Sequence, residues 1–205
     1  MNQNKHPPWL DQAVDGGLFQ ASASDIASAL SLRELYDYDY GIRFKGEAIH
    51  AQGWSVGFVK ESATEDDSAF ARFFQELSAL GEADMLAIPA KAVRFELTGT
   101  HDVLDFFEPP LIANAKFDFA SYVEIRSSMI QMIHGSFFVF PKSGRALLLN
   151  SSGKYAMFAG PRRLVEKIID VDIEASWEAV RANDQLDPLL LPRLRPAIIA
   201  YGMSP

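Results

Sequence analysis

The order Phe137-Phe138-Val139-Phe140-Pro141, Lys142-Ser143-Gly144, Ala146-Leu147-Leu148-Leu149, Ser151-Ser152-Gly153, Tyr155-Ala156-Met157-Phe158-Ala159 decides how this chain is read. Short apolar runs alternate with glycine-bearing turns, and that pattern predicts a three-strand meander. Gly160-Pro161 follows. A proline suits the first turn of a helix, where its missing N–H would have had no partner, and Leu164, Val165, Ile168 and Ile169 then supply a buried stripe at helical spacing. The helix is expected over 161–170. A second one is expected over 172–182 with Ile173, Trp177 and Val180 inward. Beyond it Pro188, Pro192 and Pro196 forbid a regular helix, so residues 188–205 read as an extended tail pinned by Leu189–Leu191 and Ile198-Ile199.

Working toward the N-terminus, Ile26, Ala29, Leu30 and Arg33 recur at three- and four-residue steps, which predicts an amphipathic helix over 24–36 starting near Ser24 or Asp25. Ile42–Lys45 and Gly53–Val59 alternate with period two, placing Trp54, Val56 and Phe58 on one face of a strand. Thr64 is a fit cap for a helix over 65–80, because the acids Glu65, Asp66 and Asp67 would lie against its positive end. Phe70, Phe73, Phe74, Leu77 and Leu80 form its apolar stripe, and Gly81 is the expected stop. Between 84 and 126 the signals are mixed. Val93–Leu97 alternates like a strand, and Asp102–Phe107 reads as one helical turn closed by Glu108-Pro109-Pro110.

The whole is expected to be an α+β single domain over 1–205, a mixed or antiparallel sheet with packed helices. Its 205 residues, 48% hydrophobic, are enough to build a full core. No cysteine is present, which excludes disulfides, thiolate metal sites and cysteine nucleophiles and fits a reducing compartment. The cytosol is the expected location. Residues 1–9 lack the apolar stretch of a secretory signal, and the most apolar windows, Ser127–Pro141 and Ala146–Pro161, fall short of the roughly 20 residues of a membrane span. A net charge of −8 argues against nucleic acid, since binding a polyanion draws on clustered Lys and Arg. The acidity is local: residues 1–120 hold 19 acids and 9 bases, net −10, whereas 121–205 hold 8 acids and 10 bases, net +2. A field of one sign favours a basic protein partner; it also serves solubility alone.

One string carries a catalytic signature. Gly53-Trp54-Ser55-Val56-Gly57 fits the G-x-S-x-G nucleophile elbow, which requires a strand before the serine and a helix after it. Here Phe58-Val59-Lys60-Glu61 continues a strand, and Asp118 with His134 or Asp84 with His101 are the available acid–histidine pairs. The same string reads equally as a glycine-bearing strand. His6, His50, His101 and His134 stand too far apart for a helical metal pair. Asp37-Tyr38-Asp39-Tyr40-Gly41 opens like a calcium loop but has Gly41 and Ala48 where oxygen ligands belong. Gly160-Pro161-Arg162-Arg163 could meet a phosphate at a helix start, although the proline removes one N–H donor. No metal and no cofactor are expected.

The run Tyr36-Asp37-Tyr38-Asp39-Tyr40 points to protein binding. Tyrosine gives large contact area at small entropic cost, and the adjacent carboxylates suit Lys and Arg on a partner. Packing of those tyrosines on a core edge is the alternative. Glu61, Glu65, Asp66 and Asp67 form a second acidic cluster, which a helix start also explains. Both clusters together would make a face for a basic partner.

The succession Phe137–Phe140-Pro141, Ala146–Asn150, Tyr155–Ala159, Gly160-Pro161 and Leu164–Ile168 resembles the C-terminal half of the small immunity proteins encoded beside bacterial polymorphic toxins, over about residues 137–180. The resemblance implies a non-catalytic cytosolic inhibitor that binds and neutralises a cognate toxin effector. Two other classes remain open: a serine hydrolase using Ser55, and a structural or adaptor subunit docking through its proline-punctuated tail.

Overall fold

A computed structural model describes residues 22–32, 35–37, 43–60, 67–89, 95–98, 101–104, 112–133, 136–151, 155–181 and 201. The meander forms as the sequence predicts: β8 (Phe137–Pro141), β9 (Leu147–Ser151) and β10 (Tyr155–Gly160) are adjacent and antiparallel. Every residue of the three is buried. Runs without alternation are what a strand needs when both faces of its sheet are covered. The sheet continues with β3 (Ser55–Lys60), β4 (Asp84–Pro89) and β7 (Ala113–Lys116), giving the antiparallel order β3-β10-β9-β8-β4-β7. Elsewhere β1 (Tyr36–Asp37) pairs with β2 (Arg43–Phe44), and β5 (Phe95–Thr98) pairs with β6 (His101–Leu104).

Six helices lie among the described residues: α1 (Ala23–Leu32), α2 (Gly46–Ala51), α3 (Ser68–Ala79), α4 (Phe119–Ile133), α5 (Arg162–Ile169) and α6 (Ile173–Arg181). The chain is thus an α+β domain with helices on an antiparallel sheet. Cross-strand partners share a face, so Gly57, Phe158, Leu148, Val139, Ala87 and Ala113 look one way. Toward this face α3 presents Phe70 and Phe73, whose rings meet Phe158 at 5.8 and 5.7 Å, and α4 presents Tyr122, 6.3 Å from Phe137. On the opposite face Phe44 meets Phe138 at 5.8 Å, and Trp177 lies 5.4 Å from Phe58 and 5.7 Å from Tyr201. Fully burying each large apolar side chain contributes about 1.5–3 kcal/mol.

The connection from α5 to α6 rounds the edge of the sheet. Asp170 makes the corner in the left-handed conformation (φ 61°), and α6 then covers β3. Trp177 Nε1 donates to the Val56 carbonyl at 2.8 Å, while the Ser176 hydroxyl accepts from the Phe58 N–H at 3.3 Å and donates to Ile173 O at 2.7 Å. Side chains therefore satisfy the outward backbone groups at the middle of an edge strand, which would otherwise template unwanted pairing.

Several expectations are corrected. The first helix begins at Ala23 and ends at Leu32, with Tyr36 already in a strand. Its start is a capping box: the Ser22 hydroxyl accepts from Asp25 N–H, and the Asp25 carboxylate accepts from Ser22 N–H. The third helix begins at Ser68, three residues later than its acids suggest, because Asp67 stands at the N-cap position and sends its carboxylate to Arg126. It does stop at Gly81 (φ 90°), where Gly81 N–H reaches Ser78 O and Glu82 N–H reaches Leu77 O. The helical turn expected at Asp102–Phe107 is instead β6 over its described part, since pairing with β5 satisfies its backbone. Pro161 takes the N-cap position of α5, one place before the first helical residue. The tail lies outside the described residues except for Tyr201, which is buried and donates to Phe44 O at 2.8 Å. No helix among the described residues is long and apolar enough to cross a membrane.

Candidate functional site

Each part of the Gly53–Gly57 string has its own backbone task. Gly53 turns the chain after α2 with φ 65°, and its N–H reaches His50 O. Ser55 opens β3 opposite Gly160. Gly57 sits under α5, where an added Cβ would come within 2.7 Å of Val165 Cγ1 and 2.8 Å of Ile169 Cδ1. Helix, turn and strand follow one another here, the reverse of the strand–turn–helix order that strains a nucleophile elbow. Of the residues considered as triad partners, Asp118 caps α4 by accepting from Ser121 N–H at 2.7 Å, and Asp84 stands exposed at the start of β4. His134 lies outside the described residues.

The acidic candidates are distributed as follows. Tyr36 and Asp37 form β1, paired with Phe44 and Arg43, and Phe44 anchors this hairpin on the face that carries Phe138. Tyr38, Asp39 and Tyr40 lie outside the described residues, as do Glu61, Glu65 and Asp66. Asp67 lies at the start of α3, on the other side of the sheet. Both its oxygens accept from the Arg126 guanidinium, at 2.5 and 2.9 Å, forming a bidentate ion pair between α3 and α4. The guanidinium also lies over the rings of Phe70 and Tyr122, at 5.8 and 5.5 Å. The charge of Asp67 is therefore compensated from within the molecule, and a basic partner would have to compete with Arg126 for it.

Near the same first turns of α3, the Arg72 Nε donates to Ile168 O at 2.7 Å and its guanidinium lies 3.9 Å from Asp170. That corner presents exposed Asp170, Val171 and Asp172, with Val171 48% exposed. At the candidate anion cradle, Arg162 is engaged by Glu166 at 2.8 Å and by Glu174 at 2.9 Å. Hydrogen bonds from Arg162 hold the Glu174 carboxyl below its ordinary range.

Two buried polar groups went unread in the sequence. Asp25 is 6% exposed and receives Asn114 Nδ2 at 3.1 Å and Lys142 Nζ at 3.0 Å, which ties α1 to β7 and to the β8–β9 turn. The Ser22 backbone N–H, with Lys142 in support, lowers its pKa against the opposing effect of burial. The Ser22-x-x-Asp25 spacing is a local signal that would have found it. Asn150 and Tyr122, each 0% exposed, pair at 2.9 Å within the aromatic core, and Asn150 Oδ1 has no partner among the described residues. On the opposite face Ser136 and Ser151 are bonded at 3.2 Å, and burial raises the pKa of the Tyr155 phenol despite its bond with Ser151. Among the described residues no three His, Asp or Glu side chains gather in a way that could hold a metal ion.

Comparison of the chain with protein-family models, with curated proteins and with solved structures returned no match.

Proposed function

We propose that this protein is a binding inhibitor of the immunity type, which neutralises a toxin domain by covering it and makes or breaks no bond of its own. The observation that carries the reading is the uneven charge: net −10 over residues 1–120 against +2 over 121–205. Acidic surface of this kind accelerates encounter with a basic protein and disfavours like-charged ones; because Asp37 and Asp67 lie on opposite sides of the sheet, the two clusters do not form one face, and the contact is assigned to the Tyr36–Tyr40 side. The Tyr36–Tyr40 run adds the aromatic area that makes such a contact specific. Asp67 is assigned the lesser part, because Arg126 already holds it.

The test is charge reversal of Asp37, Asp39 and Asp66 to lysine, leaving Asp67 and its internal pair intact. Association with candidate toxin domains, sought first among the genes flanking its own, is followed by stopped flow at low and high salt. Slower association, with a weaker salt dependence and an unchanged unfolding midpoint, is expected. Unaltered kinetics in the triple variant would remove these acids from the contact.

A further inference from the structure

Tyr201 is bonded to the hairpin that carries Tyr36 and Asp37. Lys45 N–H donates to Leu35 O at 2.7 Å. With Tyr36 opposite Phe44 and Asp37 opposite Arg43, this bond makes Asp37 and Arg43 a hydrogen-bonded pair and Tyr36 and Phe44 a non-hydrogen-bonded one. The main-chain groups of Phe44 therefore turn away from β1. On that outer side the Tyr201 hydroxyl donates to Phe44 O at 2.8 Å. The Tyr201 ring lies 5.7 Å from the ring of Trp177, whose Nε1 is itself fixed on Val56 O at 2.8 Å, and the Phe44 ring lies 5.8 Å from Phe138. Tyr201, Phe44 and Trp177 are all buried, so the bond to Phe44 O is made out of water.

A two-stranded ladder of this length is marginal at best by itself in water. The β1–β2 pair takes its order from what pins it, and two of its pins are the Phe44 ring on β8 and the Phe44 carbonyl on Tyr201. We propose that Tyr201 is a positioning residue for the toxin contact, holding β1–β2 in one conformation before the partner arrives. This role rests on the assignment of that contact to the Tyr36–Tyr40 side. A segment already ordered loses less conformational freedom on association. A partner that needs the closed hairpin binds more weakly in proportion as the closed fraction falls. Without its donor the Phe44 carbonyl is left unpaired in a buried place, which favours opening toward water. The phenol carries no charge, so its removal leaves the acidic field as it was. Positioning and electrostatic steering are thereby separable, since steering alone depends on salt.

Tyr201→Phe, which keeps the ring on Trp177, and Tyr201→Ala, which removes ring and hydroxyl together, test this in the full chain. Amide exchange at Arg43 and Lys45 should quicken about fivefold in the first and at least about fiftyfold in the second, while Met157 and Phe158 in the central sheet stay protected and show that the domain is folded. Binding is then measured with the toxin domain found in the association experiment above. Kd should weaken at least about tenfold in Tyr201→Ala and return most of the way in Tyr201→Phe, with the dependence of Kd on salt unchanged in both. Should Tyr201→Ala fail to fold, Tyr201→Phe gives the same test on a scale of about threefold. An unaltered Kd in a variant whose central sheet is protected, or Arg43 and Lys45 exchanging as in the parent, would overturn the positioning role. Asp37→Lys separates the two levels: if it weakens binding and the Tyr201 variants do not, the contact stands and the positioning role falls, whereas an unchanged Kd in Asp37→Lys removes the contact from this side and the role with it.

Discussion

Gly57→Ala isolates the reason for the second glycine of the Gly53–Gly57 string. Its new methyl would stand 2.7 Å from Val165 Cγ1, 2.8 Å from Ile169 Cδ1 and 3.1 Å from Ile169 Cγ2. Both side chains belong to α5, are buried, and cannot swing into solvent, so the helix must lift or the strand must bend. Overpacking of this kind costs about 1–3 kcal/mol. With a urea slope of about 2 kcal/mol per M, the unfolding midpoint should fall by about 0.5–1.5 M. The cost should shrink in a Val165→Ala background, where the nearest methyl is gone, with a coupling of at least about 0.5 kcal/mol. Ser55→Ala, at a half-buried strand end, should stay within about 0.5 kcal/mol of the parent. A Gly57→Ala protein with an unchanged midpoint, or a cost that is the same with and without Val165, would refute the close-approach argument. Ser55-dependent labelling by a fluorophosphonate would restore the catalytic reading.

Asp25→Asn should destabilise the domain by about 1–3 kcal/mol, because the buried carboxylate is the shared acceptor of Ser22 N–H, Asn114 Nδ2 and Lys142 Nζ and an amide offers one oxygen in place of two. Since the folded pKa of Asp25 is lowered, its contribution is complete above the ordinary carboxylate range near pH 4 and is lost as pH falls through the folded value; the variant should therefore lose less stability than the parent on acidification, read by urea midpoints across that window. Tyr122→Phe strips Asn150 of its hydroxyl partner and should cost about 1–3 kcal/mol, most of which returns when Asn150 is also made apolar. Asp67→Ala, Arg126→Ala and the double variant should reveal a coupling of about 1 kcal/mol, measured at low and high salt, because the pair is bidentate but partly exposed.

The meander, α5 and α6 were legible because their signals are local: apolar runs bounded by glycine turns, and a stripe opened by Gly160-Pro161. The stretch between 84 and 126 was not. Met85-Leu86-Ala87-Ile88 is too short to tell strand from helix by periodicity, and only pairing with Phe137–Pro141 and Ala113–Lys116 makes it central. Helix α4 hides for a related reason. It buries Tyr122 and Ile125 yet carries Arg126, whose partner lies 59 residues away on α3. Helix α2 starts on a glycine and runs for only six residues between strands, so no propensity window sees it. The same distance in sequence conceals the candidate sites. Asp67 reads as a free acid until Arg126 is placed beside it, and Gly57 reads as a motif residue until α5 is laid over it.

Coexpression with a toxin domain that this protein is found to bind puts the proposed function to its most direct trial. Cells making both proteins should survive, the two should copurify, and the toxin should regain full activity when separated from its partner. A toxin recovered chemically altered, or cells that die although this protein is folded and abundant, would contradict the account.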